Sequence, residues 1–339
     1  MSIVIDDKPK LKKKDFSSDQ DKRWCPGCGD YAILAQVQTV FPKLGIPKED
    51  FLVVSGIGCS SRFPYYMNTY GFHTIHGRAP AVASGAKIAN PNLSVWMITG
   101  DGDAMSIGGN HLIHILRRNL DINILMFNNR IYGLTKGQYS PTSELGKKTK
   151  SSPLGSLDHP FNPPALALGA SATFIARALD REQKHLNGVL RKAHEHKGTS
   201  FVEIYQNCNI FNDGAFSDLT DKEVKMETQL VLDEQQPMIF GKDKDKGIRL
   251  NGSQFEIVKI GSDFTKDDIL VHNPKDKNLA MLLCDLTYQP QFPKPIGVLY
   301  QEDKTTYEDL LINQIEHAKS RLPDTDFDKL IRSSHTWKI

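Results

Sequence analysis

Apolar positions along the first two thirds of the chain alternate between short unbroken runs and stretches with helical spacing. From Asp30 to about Phe41, Tyr31, Leu34, Ala35 and Val37 form an apolar stripe interleaved with polar positions such as Gln38, which predicts a helix. Phe51-Leu-Val-Val-Ser55 predicts a strand that runs into the loop Gly56-Ile-Gly-Cys59. Ala79 to Ala89 is helical and rich in small residues, including Gly85, which permit close packing. Leu93-Ser-Val-Trp-Met-Ile-Thr99 is a buried-strand pattern that stops at Gly100. Ile107 to Arg118 returns to helical spacing, and Ile122-Asn-Ile-Leu-Met-Phe127 is another apolar strand. Phe174-Ile-Ala-Arg-Ala178 predicts a strand, Glu182 to His196 an amphipathic helix, and Thr199 to Tyr205 a further strand. Strands that alternate with helices form βαβ units, hence an α/β fold with a mostly parallel, doubly wound sheet.

After about Ser217 the alternation fades. Residues 221–280 are charged and contain turn signals, and a helix is expected between Tyr307 and Leu322. The pattern divides the chain into an N-terminal tail over 1–23, one α/β domain over 24–216, and a C-terminal extension over 217–339. That extension is expected to cover the core or to contact another subunit. The Lys-rich start, Lys8 to Lys14, reads as a solvated tail without the pattern of a targeting peptide.

Composition narrows the classes of function. Hydrophobic residues make up 39% of the 339 positions, enough for a sizeable core and too many for a disordered chain. Lys+Arg 42 against Asp+Glu 40 gives a net charge of +2, which argues against bulk nucleic-acid binding. The sequence has no uncharged apolar run of the ~18 residues a membrane span needs. Five cysteines argue against a secreted disulfide framework and for a reduced, cytoplasmic setting, where cysteines bind metal or do chemistry.

Three groups of residues fall where chemistry is expected. Gly100-Asp101-Gly102 ends one predicted strand and Asn128-Asn129 ends the next, the edge at which doubly wound sheets bind ligands. Asp101 and Asn129 offer the hard oxygens that Mg²⁺ prefers, and the glycines let backbone approach a diphosphate. Either motif alone is an ordinary turn; the pair, separated by one helix and one strand, is far more specific. The second group is the knuckle Trp24-Cys25-Pro-Gly-Cys28-Gly29, which suits zinc, a redox dithiol or an iron–sulfur cluster. A zinc ribbon normally supplies a second Cys-x-x-Cys, and this sequence has none. Cys59 and Cys208 lie at predicted strand ends, whereas Cys284 sits among apolar residues and reads as a structural thiol. The third group is Phe72-His-Thr-Ile-His-Gly-Arg-Ala79. His76 is a candidate acid or base at a helix start, and His73 reads as structural. Arg62 and Lys136 are candidates for binding a substrate carboxylate.

The paired Gly-Asp-Gly and Asn-Asn resemble the signature of the thiamine-diphosphate enzymes. The run Ile131-Tyr-Gly-Leu-Thr-Lys-Gly-Gln138 is similar to the beta subunits of 2-oxoacid:ferredoxin oxidoreductases. The resemblance covers about residues 20–216 and implies a thiamine-diphosphate-binding fold. It implies that Asp101, Asn129 and the Ile131 carbonyl hold Mg²⁺. It places thiamine diphosphate among Ile57, Gly58, Cys59, Ser60, His76, Gly100, Asp101, Gly102, Asp103, Asn129, Ile131, Gly133, Leu134 and Thr135. It implies that Cys25, Cys28, Cys59 and Cys208 bind one [4Fe-4S] cluster and that His76 stands at the cofactor, while Arg62 and Lys136, with His76 the catalytic candidates, rest on their charge near these loops, the alternative for either being a surface charge. Arg62 stands where some relatives have Lys. The implied reaction is the reversible, coenzyme A-dependent oxidative decarboxylation of a 2-oxoacid, with 2-oxoglutarate favoured and electrons leaving to ferredoxin. A separate alpha subunit is implied, because a pyrimidine-binding domain is not visible in the chain. Alternatives are a pyruvate- or branched-chain-type subunit, a non-oxidative thiamine-diphosphate decarboxylase or synthase, and a zinc-binding interaction module. Neither a nucleic acid nor a membrane is an expected partner.

Overall fold

The computed structural model describes residues 11–261, 263–322, 326–332 and 337. Six strands form a parallel sheet: β1 (Phe51–Ser55), β2 (Tyr70–His73), β3 (Ser94–Gly100), β4 (Ile122–Asn128), β5 (Phe174–Leu179) and β6 (Ser200–Tyr205). Their order in space is β2-β1-β3-β4-β6-β5. Every residue of β1, β4, β5 and β6 is buried. That explains the unbroken apolar runs, since a parallel sheet is covered on both faces. On one face pack α1 (Asp30–Val40) and, further on, α5 (Gln183–Glu195). The other face carries α2 (Ala79–Ala89), α3 (Gly109–Arg118) and α4 (Pro163–Gly169).

The extension is woven into this sheet. Two single turns, α6 (Ser217–Thr220) and α7 (Lys225–Thr228), lead into β7 (Gln229–Leu232). A small antiparallel sheet of β8 (Ile239–Phe240), β9 (Lys246–Asn251) and β10 (Gln254–Lys259) follows. After α8 (Lys277–Asp285), β11 (Lys294–Gln301) inserts antiparallel beside β5 and pairs with β7, completing an eight-stranded sheet. The apolar run Pro295-Ile-Gly-Val-Leu-Tyr300 was hidden as a strand by its Pro and Gly, which act as breakers in a central strand. Helices α9 (Tyr307–Arg321) and α10 (Phe327–Ile331) end the described chain.

The expected solvated tail holds for Lys12, Lys13 and Lys14, which are exposed, and needs correction at Phe16; residues 1–10 lie outside the described residues. Phe16 is fully buried, edge-on to Phe41 and Phe51 with centroids 5.5 Å from each. One aromatic side chain gains enough by burial to tie down a polar segment. Among the described residues no helix is long and apolar enough to cross a membrane.

Candidate active site

Strands β1, β3, β4 and β6 are consecutive neighbours and parallel, so their carboxyl ends open on one edge. Each delivers one loop there: Gly56–Ser60, Asp101–Asp103, Asn129–Thr135 and Gln206–Cys208. One cavity at this edge is lined by Ile57, Gly58, Cys59, Ser60, His76, Gly100, Asp101, Gly102, Asp103, Asn129, Ile131, Gly133, Leu134 and Thr135, with Phe127 and Tyr132. The whole expected cofactor shell therefore meets in one place.

Asp101 is buried, and desolvation pushes its carboxyl above the usual range. Its Oδ2 accepts hydrogen bonds from Ser140 Oγ at 2.5 Å and Thr142 Oγ at 2.6 Å. Thr142 also lies 2.9 Å from Asn128 Oδ1, and Asn128 Nδ2 donates to Glu203 Oε1 at 2.7 Å. Glu203 and Arg177 face each other across β6 and β5 in register and form a fully buried ion pair of 2.7 Å. A polar chain thus runs from the middle of the sheet to Asp101, and each step orients the next. Asn129 Oδ1 accepts the Ile131 N–H at 3.1 Å, a local turn that aims its amide.

Asp103 lines the cavity, but its carboxylate is committed to the protein. Oδ1 accepts from His76 Nδ1 at 2.5 Å, Gly77 N at 2.7 Å and Ile57 N at 3.0 Å. Oδ2 accepts from Thr99 Oγ at 2.7 Å. Asp103 therefore braces the Gly56–Ser60 loop and sets the histidine tautomer. With Nδ1–H given to a carboxylate, the neutral His76 ring keeps its lone pair on Nε2.

Arg62 and Lys136 part company. Arg62 lines an adjoining cavity of about 570 Å³ that shares Ile57, Gly58 and Leu134 with the first and is also lined by Arg23, Tyr65 and His73. Among the described residues its guanidinium has no hydrogen-bond or ion-pair partner. Lys136 is exposed at the tip of its turn with φ 75° and lines neither cavity. His73, expected to be structural, is held by Ser61 O at 3.0 Å yet faces the Arg62 cavity.

Cys25, Cys28, Cys59 and Cys208 are free thiols around the same loops, and Cys284 is buried in α8. A Cβ on Gly133 would stand 3.5 Å from both Cys59 Sγ and Cys208 Sγ, so glycine leaves room between them. Trp24 Nε1 donates to Cys59 O at 2.6 Å and ties the knuckle to the Cys59 loop. Burial, with Asp30 and the neighbouring Cys208 and Cys59, pushes the Cys28 thiol far above its usual range. The same effects push Cys59 up to about 12. Asp30 is itself buried without an N–H or O–H partner, and desolvation pushes its carboxyl up to about 7. Among the described residues, no three His, Cys, Asp or Glu side chains stand close enough to share a single ion.

Residues 56–204 match the family model described as thiamine pyrophosphate enzyme, C-terminal TPP binding domain. Over 341 aligned residues the chain is 50% identical to the 2-oxoglutarate oxidoreductase subunit KorB of Mycobacterium tuberculosis, covering 99% of this chain and 91% of that relative. The chain belongs to the beta subunits of the 2-oxoacid:ferredoxin oxidoreductases. It is also 43% identical over 203 residues to the 2-oxoacid:ferredoxin oxidoreductase subunit beta of Saccharolobus solfataricus, covering 59% of this chain and 67% of that one. A solved 2-oxoglutarate:ferredoxin oxidoreductase from Magnetococcus marinus superposes with a TM-score of 0.76 at 32% identity, covering 96% of this chain and 97% of that one. The fold of this beta subunit is accordingly the thiamine-diphosphate-binding α/β fold, and the chain is an oxidoreductase component.

Several residues of the beta subunit's site escape pattern reading. Ser140, Thr142, Tyr132 and Gln206 lie in polar loops without periodicity. Glu203 and Arg177 left a trace, as charges inside two apolar runs, and such charges are rarely buried unless paired.

Proposed function

We propose that this chain is the beta subunit of a 2-oxoglutarate:ferredoxin oxidoreductase that holds thiamine diphosphate, Mg²⁺ and one [4Fe-4S] cluster. The observation that supports this reading is the meeting of Asp101, Asn129 and four thiols at one sheet edge, beside a cavity holding Arg62. The residues fit the groups. Asp101 is a desolvated carboxylate held by two hydroxyls and by backbone N–H groups, with no cationic side chain bonded to it among the described residues, an electron-rich site that a cation would complete. Gly133 keeps a side chain from standing against Cys59 Sγ and Cys208 Sγ. Residues 24–216 would hold the cofactors, with β7 and β11 of 217–339 completing their sheet and the remainder of that extension serving subunit contact. Five free thiols and no disulfide suit a reducing, cytoplasmic compartment.

Thiamine diphosphate, when bound, supplies a carbon nucleophile and an electron sink for the loss of CO₂. In this chain Asp101, Asn129 and the Ile131 carbonyl would hold the Mg²⁺ that offsets the diphosphate charge. His76 Nε2 takes or returns a proton within the cavity, while Asp103 holds the ring in place through Nδ1. Arg62 pairs with the distal carboxylate of 2-oxoglutarate. Cys25, Cys28, Cys59 and Cys208 would hold a cluster that would supply electron transfer toward ferredoxin, and coenzyme A would be the acyl acceptor.

The carboxylates lining the cavity are Asp101 and Asp103, and both are engaged. A third carboxylate, needed to activate the aminopyrimidine, has to come from the alpha subunit. Purified alone, the chain is expected to show no 2-oxoglutarate-dependent viologen reduction; co-assembled with its alpha subunit and given coenzyme A, it should turn over. Robust turnover by the lone chain would contradict this reading. Arg62→Met should lower kcat/KM for 2-oxoglutarate by about 30-fold, the low end of the cost of breaking a charge-assisted pair, because Arg62 is half-exposed. Pyruvate turnover should change little. Equal losses on both substrates would move Arg62 to the common carboxylate.

A further inference from the structure

Gln206 follows β6 directly and is 1% exposed. Its backbone N–H donates to Asn128 O at 2.9 Å, which extends the β4–β6 ladder past Tyr205. The side chain reaches two ways. Oε1 accepts from Asn129 Nδ2 at 2.9 Å. Nε2 donates to Cys28 Sγ at 3.4 Å and to Asn207 O at 2.5 Å. Neither amide is free to flip. Asn129 Oδ1 is engaged by the Ile131 N–H, so its Nδ2 faces Gln206. Gln206 must therefore present oxygen to Asn129 and its two N–H bonds to the sulfur and the carbonyl. The last glycine of the Cys-Pro-Gly-Cys-Gly knuckle admits this arrangement. A Cβ on Gly29 would stand 3.0 Å from Gln206 Cγ and 2.0 Å from Asp180 Oδ2.

We infer that Gln206 is a positioning residue that ties the magnesium clamp to the cluster, aiming Asn129 with its oxygen and donating an N–H···S hydrogen bond to Cys28. The inference rests on the function proposed above. A donor to a cluster sulfur stabilises the reduced, more negative state and raises its potential. The same side chain holds the Asn129 amide so that Oδ1 is presented to the cation. One amide thus feels both the occupancy of the clamp and the charge of the cluster.

Two variants of the assembled, anaerobically purified enzyme separate these roles. Gln206→Met keeps the length of the side chain and removes both interactions. Gln206→Glu keeps an acceptor for Asn129 and sets oxygen in place of the N–H donor at Cys28. The readouts are iron content, cluster potential by spectroscopic titration, and thiamine diphosphate affinity by calorimetry. Both variants should retain full iron and show a more negative cluster potential. Gln206→Met should also weaken cofactor affinity by about five- to tenfold, the worth of one hydrogen bond, while Gln206→Glu leaves it near that of the native enzyme. Should Gln206→Met fail to assemble, the potential of Gln206→Glu decides the inference. Full iron with unchanged potential in Gln206→Glu overturns it. A native enzyme that lacks iron overturns instead the cluster reading on which it rests.

Discussion

Asp101→Ala is expected to weaken thiamine diphosphate binding by roughly 30- to 4,000-fold, the about 2–5 kcal/mol that follows from leaving a buried charge unpaired. Without the carboxylate, the diphosphate would lose the protein side of its Mg²⁺ bridge. The fold should survive, because both donors have other acceptors: Thr142 has Asn128 Oδ1 at 2.9 Å, and Ser140 has the Thr142 and Ser143 hydroxyls at 3.3 Å. The sign of the electrostatics sharpens the test. Burial raises the Asp101 carboxyl, so stability is lost as the pH rises from its unfolded-state pKa to its folded-state pKa, and the full penalty persists above that. Cofactor-free Asp101→Asn should therefore melt at or above the native temperature at neutral pH, an advantage that vanishes in acid. Calorimetry of the cofactor with the assembled enzyme measures the loss directly, and unchanged affinity in Asp101→Ala would refute the clamp.

The second large effect concerns iron. Cys28→Ser and Cys208→Ser should each lose the cluster, because a hydroxyl is a poor substitute for thiolate on iron. Burial already opposes ionisation of Cys28 and Cys59, so these sulfurs need the charge of the metal to exist as thiolates. Their hydroxyl replacements are still harder to ionise. Cys284→Ser serves as the control. That thiol packs in the apolar cluster beneath α8, near Arg177 and Glu203 and apart from the four loops. It should keep full iron at some cost in stability, since a hydroxyl enters an apolar core. Iron analysis of the three proteins checks this, and loss in Cys284→Ser with retention in Cys208→Ser would reverse the choice of fourth ligand.

Much of the architecture was legible because burial on both faces leaves a simple record. Strands β1, β3, β4, β5 and β6 read as largely apolar runs, interrupted only by single polar or charged residues such as Arg177 and Glu203, and helices were read between them. The site was legible for a related reason. Parallel strands must place their carboxyl ends on one edge, so Asp101, Asn129, Cys59 and Cys208 were bound to fall near one another once each was assigned to a strand end. The tail and the extension were read less well. Phe16 is one aromatic in a charged segment, with no period to mark it, and β11 carries Pro295 and Gly297 inside its strand.

The order of residues alone supplies the chemistry available to this protein: the oxygen donors after β3 and β4, the thiols, and the histidine just before α2. How those groups are arranged depends on the folded chain. It engaged the Asp103 carboxylate with four protein donors, left Lys136 in solvent, and put Arg62 in a cavity adjoining the one lined by Asp101 and His76. It also ran Arg177, Glu203, Asn128 and Thr142 into one chain toward Asp101 and set Gln206 between Asn129 and Cys28. The physical reason is that hydrophobic burial is periodic along a chain and can be read locally. A hydrogen bond between residues tens of positions apart depends on strand order, register and the aim of each amide, none of which leaves a local pattern.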